Sequence, residues 1–200
     1  MRELVLASTS AFRRRMLQAA GLSFSAVAPG VDEAILKRDL GAQIPPAGAS
    51  DVAAALARAK AQAISAHMPS ALVIGADQVL ELGGELFDKP GDLVAARQQL
   101  QRLRGKPHRL HTAVALAEGG NIVWSRTEVP TLHMRAFSDG YLDDYLAAAG
   151  PSILGTVGGY EIEGCGIQLF ARVDGDHFTI IGLPLLPLLA ELRDRGVIAT

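Results

Sequence analysis

Ala71-Leu72-Val73-Ile74-Gly75-Ala76-Asp77-Gln78-Val79-Leu80 is an apolar run that carries a single carboxylate. Its β-branched residues, its shortness and the flanking Pro69 and Gly75 predict a buried strand that delivers Asp77 at its end. An unpaired charge in such a place costs several kcal/mol, on the order of what a domain can lose and still fold. Asp77 must therefore meet a cation or a metal, or lie at the rim of a cleft. A turn-forming aspartate leading into the next strand satisfies the local sequence equally well.

Upstream, Leu4 to Ala7 predicts a short strand, and the hydroxyls of Ser8, Thr9 and Ser10 can cap a helix from Ala11 to Ala20 closed by Gly21. A strand followed by a capped helix is the geometry of an anion site. Met16, Leu17 and Ala20 make the apolar stripe, and Arg13 projects from the same face at the N-terminal end. The consecutive cations Arg13, Arg14 and Arg15 oppose the helix dipole unless an anion such as phosphate uses both; a solvated basic turn is the alternative. A strand near Phe24 to Ala28 then leads into Pro29 to Ser50, expected to be a mobile loop with Asp32 and Glu33 at its root. Ser50 is expected to cap an Ala-rich helix, Asp51 to His67, with Arg58 and Lys60 among its exposed positions.

Downstream, Gly83-Gly84 between Val79–Leu82 and Glu85–Phe87 signals a hairpin, and Pro90 forces Lys89 to be extended beside it. A helix over Asp92 to Arg104 should bury Leu93, Ala96, Leu100 and Leu103. Strands follow at His111–Ala117, Asn121–Ser125 and Thr127–Arg135, the last interrupted or placed on an edge by Pro130. Ser138 caps a helix to Ala149. The glycine-rich stretch from Gly155 to Gly166 permits either close approach to a ligand or irregular crossing of the core. Strands at Ile167–Val173 and His177–Ile181 and a helix over Leu185–Arg195 complete the chain.

Composition narrows the function. The chain has 200 residues, 49% of them hydrophobic, enough for one domain over residues 1–200 with room for two lobes. A net charge of -2 and few aromatics argue against a nucleic-acid binder, and no run approaches a membrane span. One cysteine, Cys165, leaves no disulfide within the chain and no Cys-based zinc motif, and the histidines lack metal-ligand spacing. Neither a nucleophile elbow nor a Walker or dinucleotide glycine motif is present. The expectation is a cytoplasmic protein with no nucleic-acid or membrane partner. What remains at element ends is a set of carboxylates (Asp77, Glu33, Asp32) and cations (Arg13, Lys60, Lys89) suited to metal-assisted phosphoryl chemistry.

Leu6-Ala7-Ser8-Thr9-Ser10-Ala11-Phe12-Arg13-Arg14, Val31-Asp32-Glu33, Ala57-Arg58-Ala59-Lys60-Ala61, Gly75-Ala76-Asp77-Gln78-Val79, Lys89-Pro90 and Gly182-Leu183-Pro184-Leu185 resemble, in order, the motifs of the Maf family of nucleoside triphosphate pyrophosphatases. The resemblance implies an α/β fold: an elongated mixed sheet flanked by helices, with two lobes around a central cleft. It also implies hydrolysis of a nucleoside triphosphate to monophosphate and diphosphate with a divalent cation, Mg²⁺ or Mn²⁺, in a homodimer. Family members are linked as well to arrest of cell division, which leaves a nucleotide-sensing interaction protein as the alternative class.

Carried over by position, Asp77 is the proton acceptor or a metal ligand, and Glu33 a second metal ligand. Ser8, Ser10, Arg13, Arg14, Lys60 and Lys89 are the phosphate contacts. The usual proline of the first motif is Ala11 here, which loosens the first helical turn. Phe12, Gln78 and Glu163 resemble the branch acting on 7-methyl-GTP rather than the one preferring dTTP or UTP. An aromatic face stacks on a cationic purine with about 0.5 to 2 kcal/mol, and a glutamate accepts from guanine N–H donors. Burial of Phe12 in the core is the competing reading.

Overall fold

The structure is a computed structural model that describes residues 3–43 and 45–199. In chain order the elements are β1 (Leu4–Ala7), α1 (Ala11–Ala19), β2 (Ser25–Val27), α2 (Glu33–Gly41), α3 (Ala49–Ser65), β3 (Leu72–Leu82) and β4 (Glu85–Phe87). Next come α4 (Leu93–Leu103), β5 (Pro107–Glu118), β6 (Asn121–Glu128), β7 (Thr131–Met134) and α5 (Asp139–Ala149). After 3-10 turns at Gly150–Gly155 and Cys165–Leu169 the chain ends with β8 (Phe170–Asp174), α6 (His177–Ile181) and α7 (Leu185–Asp194). The strands belong to a mixed sheet, so the expected α/β class is found.

The chain forms two compact units, the first made of residues up to Gln78, Thr112–Glu128 and the segment from Asp176. Here β1 lies parallel to both β2 and β3, with Leu4 beside Leu72 and Ala7 beside Gly75, and β5 pairs antiparallel with β6. Parallel strands buried on both faces read as unbroken apolar runs, which is why Leu4–Ala7 and Leu72–Ala76 do. Leu4, Leu6, Leu72, Ile74 and Ala76 pack with Met16 and Leu17 of α1 and with Leu185, Leu188 and Leu192 of α7. Val5, Ala7 and Val73 point the other way, with Ile64 of α3 packed against them. Strand alternation therefore assigns Gly75 and Asp77 to the α3 face, and Gln78 to the opposite one.

At Gly75 the backbones of β3 and α3 come close together. A Cβ there would lie 2.2 Å from the Ala57 carbonyl oxygen and 2.6 Å from the Ala61 amide nitrogen. Only glycine allows the α3 backbone to approach β3 so nearly.

The second unit holds Val79–His111 and Val129–Gly175. Leu80–Leu82 pair antiparallel with Glu85–Phe87 across the expected hairpin, and β7 pairs antiparallel with both β5 and β8. His108 is buried, its Nε2 2.8 Å from the Tyr160 hydroxyl, and the Tyr160 and Phe170 rings meet edge to face. The glycine-rich stretch is irregular and runs between its two 3-10 turns.

Several expectations are corrected. The segment Pro29 to Ser50 is not one loop: Asp32 caps α2, its carboxylate accepting from the Ile35 amide at 3.0 Å, and good helix formers follow. Ile44, within the expected break, lies outside the described residues. The cap of α3 is Gly48, not Ser50, with the Asp51 carboxylate accepting from the Gly48 amide at 3.3 Å. Leu93 is exposed, because α4 begins with it and its first turn lies outside the buried stripe of Ala96, Leu100 and Leu103. His177–Ile181 is a helix, not a strand. Asp176 accepts from both the amide and the hydroxyl of Thr179 at 2.8 Å, and Gly182 ends the helix at φ 123°. Asp77 lies inside β3 rather than at its end, between the residues paired with β1 and those paired with β4.

Candidate functional site

Asp77 and Lys60 form the centre of the first unit's polar cluster. They are 6% and 5% exposed, and the Lys60 ammonium lies 2.6 Å from Asp77 Oδ1 and 2.7 Å from Glu33 Oε1. The expectation that Lys60 is solvent-facing is thus overturned. Gly75 draws the Ala57–Ala61 face of α3 onto β3, and Lys60, on that face, meets Asp77 two residues along the same side of the strand. Capping by Asp32 starts α2 at Glu33, so Glu33 reaches the ammonium from the first turn of a helix.

The turn between β1 and α1 supplies the second part. Ser8 is buried, and its hydroxyl accepts from the Ser10 amide at 3.1 Å and from Arg13 Nη1 at 3.4 Å. Ser10 is the N-cap, accepting from the Arg13 amide at 3.4 Å. Arg13 Nε donates to the Gly182 carbonyl at 2.8 Å. Burial pushes the Arg13 guanidinium down from its ordinary value, and the negative charges of Asp77 and Glu33 pull it back up. The group stays a cation, placed within the field of both acids.

Gln78 faces away from α3, and its Nε2 donates to Thr112 Oγ1 at 2.9 Å, the Ile180 carbonyl at 3.0 Å and the Thr179 carbonyl at 3.2 Å. Phe12 is half-buried, with the Arg15 guanidinium 4.8 Å from its ring centre, so it is neither a core residue nor a bare platform. Arg14 is exposed on α1. Lys89 and Glu163, both exposed, belong to the second unit.

Ser8, Ser10, Arg13, Glu33, Lys60, Asp77 and Gln78 thus gather in the first unit. Sequence reasoning missed Thr112, Thr179 and the Gly182 carbonyl. The signals were a threonine at the head of the apolar Ala113–Ala117 run of β5 and the glycine after Ile181, the first of which reads as ordinary strand composition.

Among the described residues no group of three or more His, Cys, Asp or Glu side chains forms a metal cage. The carboxylates of Asp77 and Glu33 nevertheless converge on one ammonium, each within 2.7 Å of it. A pair of carboxylates with the remaining positions filled by substrate phosphates and waters is how Mg²⁺ is ordinarily held, so this donor set fits such a cation.

The Maf-like protein family profile matches residues 3–195. A nucleoside triphosphate pyrophosphatase of Granulibacter bethesdensis is 48% identical over 96% of this chain and 97% of its own. A 7-methyl-GTP pyrophosphatase of Brucella suis is 49% identical over 96% and 95%, and one of Rhizobium meliloti 45% identical over 98% and 97%. No helix among the described residues is long and apolar enough to cross a membrane. The profile, the relatives and the ordered motifs agree: the chain belongs to the Maf-like protein family.

Proposed function

We propose that this protein hydrolyses a nucleoside triphosphate to the monophosphate and diphosphate, with 7-methyl-GTP as its preferred class of substrate. The observation that carries the reading is the buried Asp77–Lys60 pair, joined from the surface by Glu33, beside Arg13 and Ser8. The relatives' names support the reaction, and the match of Phe12, Gln78 and Glu163 to the methylated-purine branch supports the substrate.

Arg13, Ser8 and the N-terminus of α1 would hold the phosphates, with Lys60 moving part of its contact from the acids to a phosphate oxygen. Asp77, whose Oδ1 already accepts from Lys60, would take the proton of the attacking water through its carboxylate. Water oxygen bonds to the α-phosphorus, the bond to the bridging oxygen breaks, and diphosphate leaves with that oxygen. The charges of Asp77 and Glu33 are balanced by Lys60 and Arg13, so these side chains offer a polyphosphate no surplus positive charge. A divalent cation held by Asp77 and Glu33 supplies that charge when bound. Lys89 and Arg14 are assigned to the phosphates and Glu163 to the base by position in the motifs. Within this reading the protein acts on the cytoplasmic nucleotide pool, as a homodimer whose mass sedimentation would measure.

The test is a nucleotide panel with Mg²⁺ or Mn²⁺, scored separately for diphosphate and orthophosphate. Diphosphate alone is expected, with the highest kcat/KM for 7-methyl-GTP and none of it from Asp77→Asn, which still binds nucleotide. Orthophosphate as the primary product would refute the reaction. A higher kcat/KM for dTTP or UTP would refute the substrate class.

A further inference from the structure

Glu163 stands in a tight turn of the second unit whose two feet are buried and whose middle is exposed. The Glu161 carbonyl accepts from the Gly164 amide at 3.2 Å, so Ile162 and Glu163 are the central pair of a four-residue turn. Gly158, Gly159 and Tyr160 are buried at one foot and Gly166 at the other, while Glu163, Gly164 and Cys165 face solvent. A Cβ at Gly166 would lie 2.4 Å from the Glu161 carbonyl oxygen, so the chain returns onto the first residue of the turn at a distance only glycine permits.

The side chain of Tyr160 anchors the first foot. Its hydroxyl shares a hydrogen bond of 2.8 Å with His108 Nε2 on β5, and its ring meets Phe170 of β8 edge to face at 4.9 Å. Burial lowers the pKa of His108 to about 4 and raises that of the Tyr160 phenol, so near neutral pH the bond joins two uncharged groups. One residue earlier, Tyr145 of α5 donates its hydroxyl to the Gly159 carbonyl at 3.2 Å. Gly159 is also pressed against α4, where a Cβ on it would lie 3.3 Å from Ala96 Cβ. A phenylalanine at 160 would supply the same ring to Phe170 and need no partner. The hydroxyl adds direction to the packing, since a hydrogen bond depends on angle as well as distance and apolar contact does not.

From this geometry we infer that Tyr160 and His108 are positioning residues for Glu163: by fixing the foot of its turn they set discrimination between bases and leave affinity for the polyphosphate alone. The inference rests on the base contact assigned to Glu163 above. Tyr145 acts in the same direction through the neighbouring carbonyl.

The experiment measures two quantities in the full chain and in Tyr160→Phe, His108→Leu, His108→Gln, Glu163→Gln and Tyr160→Phe/Glu163→Gln. One is the ratio of kcat/KM between 7-methyl-GTP and UTP; the other is calorimetric binding of inorganic tripolyphosphate, which has no base. The ratio is expected to fall by about threefold to tenfold in Tyr160→Phe and His108→Leu, the scale of one weakened hydrogen bond. His108→Gln, whose amide can take either role toward the hydroxyl, is expected near wild type. The double variant discriminates no worse than Glu163→Gln alone, and tripolyphosphate binding is unchanged throughout.

A Tyr160→Phe protein with a lower melting temperature and an unchanged ratio would make the bond one of stability only and overturn the inference. Loss of tripolyphosphate binding in step with the ratio, or additive losses in the double variant, would overturn it as well. A ratio unaffected by Glu163→Gln would overturn the base contact itself, a separate and recognisable failure. If Tyr160→Phe and His108→Leu do not fold, Tyr145→Phe, which removes one hydroxyl, decides by the same two readouts.

Discussion

Replacing Lys60 by methionine keeps most of the length of the side chain and removes its charge. Asp77 and Lys60 are both nearly excluded from solvent and 2.6 Å apart. Leaving one member of such a pair without its partner costs about 3 to 5 kcal/mol. Glu33 has a side chain 46% exposed, so loss of its own contact adds at most about 1 kcal/mol after solvent screening. For a chain of this size that total corresponds to a melting temperature lower by roughly 6 to 24 °C.

Asp77→Asn behaves differently, since its amide oxygen still accepts from Lys60 and the ammonium keeps Glu33; about 1 to 3 kcal/mol is expected. Lys60→Met/Asp77→Asn removes the orphaned charge and should be no less stable than Lys60→Met alone. Additivity would instead make it worse by the full Asn cost. Trp124, the chain's one tryptophan, lies in β6 of the same unit, so its fluorescence in urea follows the unit that holds the pair. A Lys60→Met variant within about 0.5 kcal/mol of wild type, or an additive double variant, would refute the account of a buried and mutually dependent pair.

Gly75→Ala should cost more than about 3 kcal/mol, because its Cβ meets backbone atoms of α3 that no side-chain rotation can move aside. Catalysis should fall with it as Lys60 is displaced; a stable, active Gly75→Ala protein would contradict the close approach. His108 should make stability pH-dependent. Burial lowers its pKa from 6.5 to about 4, so between those values the unfolded chain binds the extra proton, and stability is present above about pH 6.5 and lost as pH falls to about 4. The shift amounts to about 3 kcal/mol, and His108→Gln should flatten that part of the profile in urea titrations. Glu33→Gln should weaken Mn²⁺ binding measured by electron paramagnetic resonance without nucleotide; unchanged binding would remove Glu33 from the ligand set.

Much of the architecture is local and so was legible. Ser10, Asp92 and Ser138 cap their helices, Gly83-Gly84 and Glu118-Gly119-Gly120 turn their hairpins, and the doubly apolar strands β1 and β3 announce a parallel, covered sheet. The helix over Glu33–Gly41 was hidden between Pro29 and Pro45. Val and Ile around Asp176 to Gly182 gave that segment a strand-like composition, which capping at both ends overrides.

By itself the sequence determined which chemical groups are present, where most elements begin and end, and, through the ordered motifs from Ser8 to Leu185, the family. It could not tell which face of α3 is inside. Alanines occur all around that helix, so hydrophobic periodicity names no buried side, and Lys60 reads as solvated. Tertiary packing made the choice: Gly75, lacking a side chain, admits the Ala57–Ala61 face, and Lys60 comes in with it to neutralise Asp77. The same holds for Gln78, whose amide donates to carbonyls of α6 about a hundred residues away in the chain.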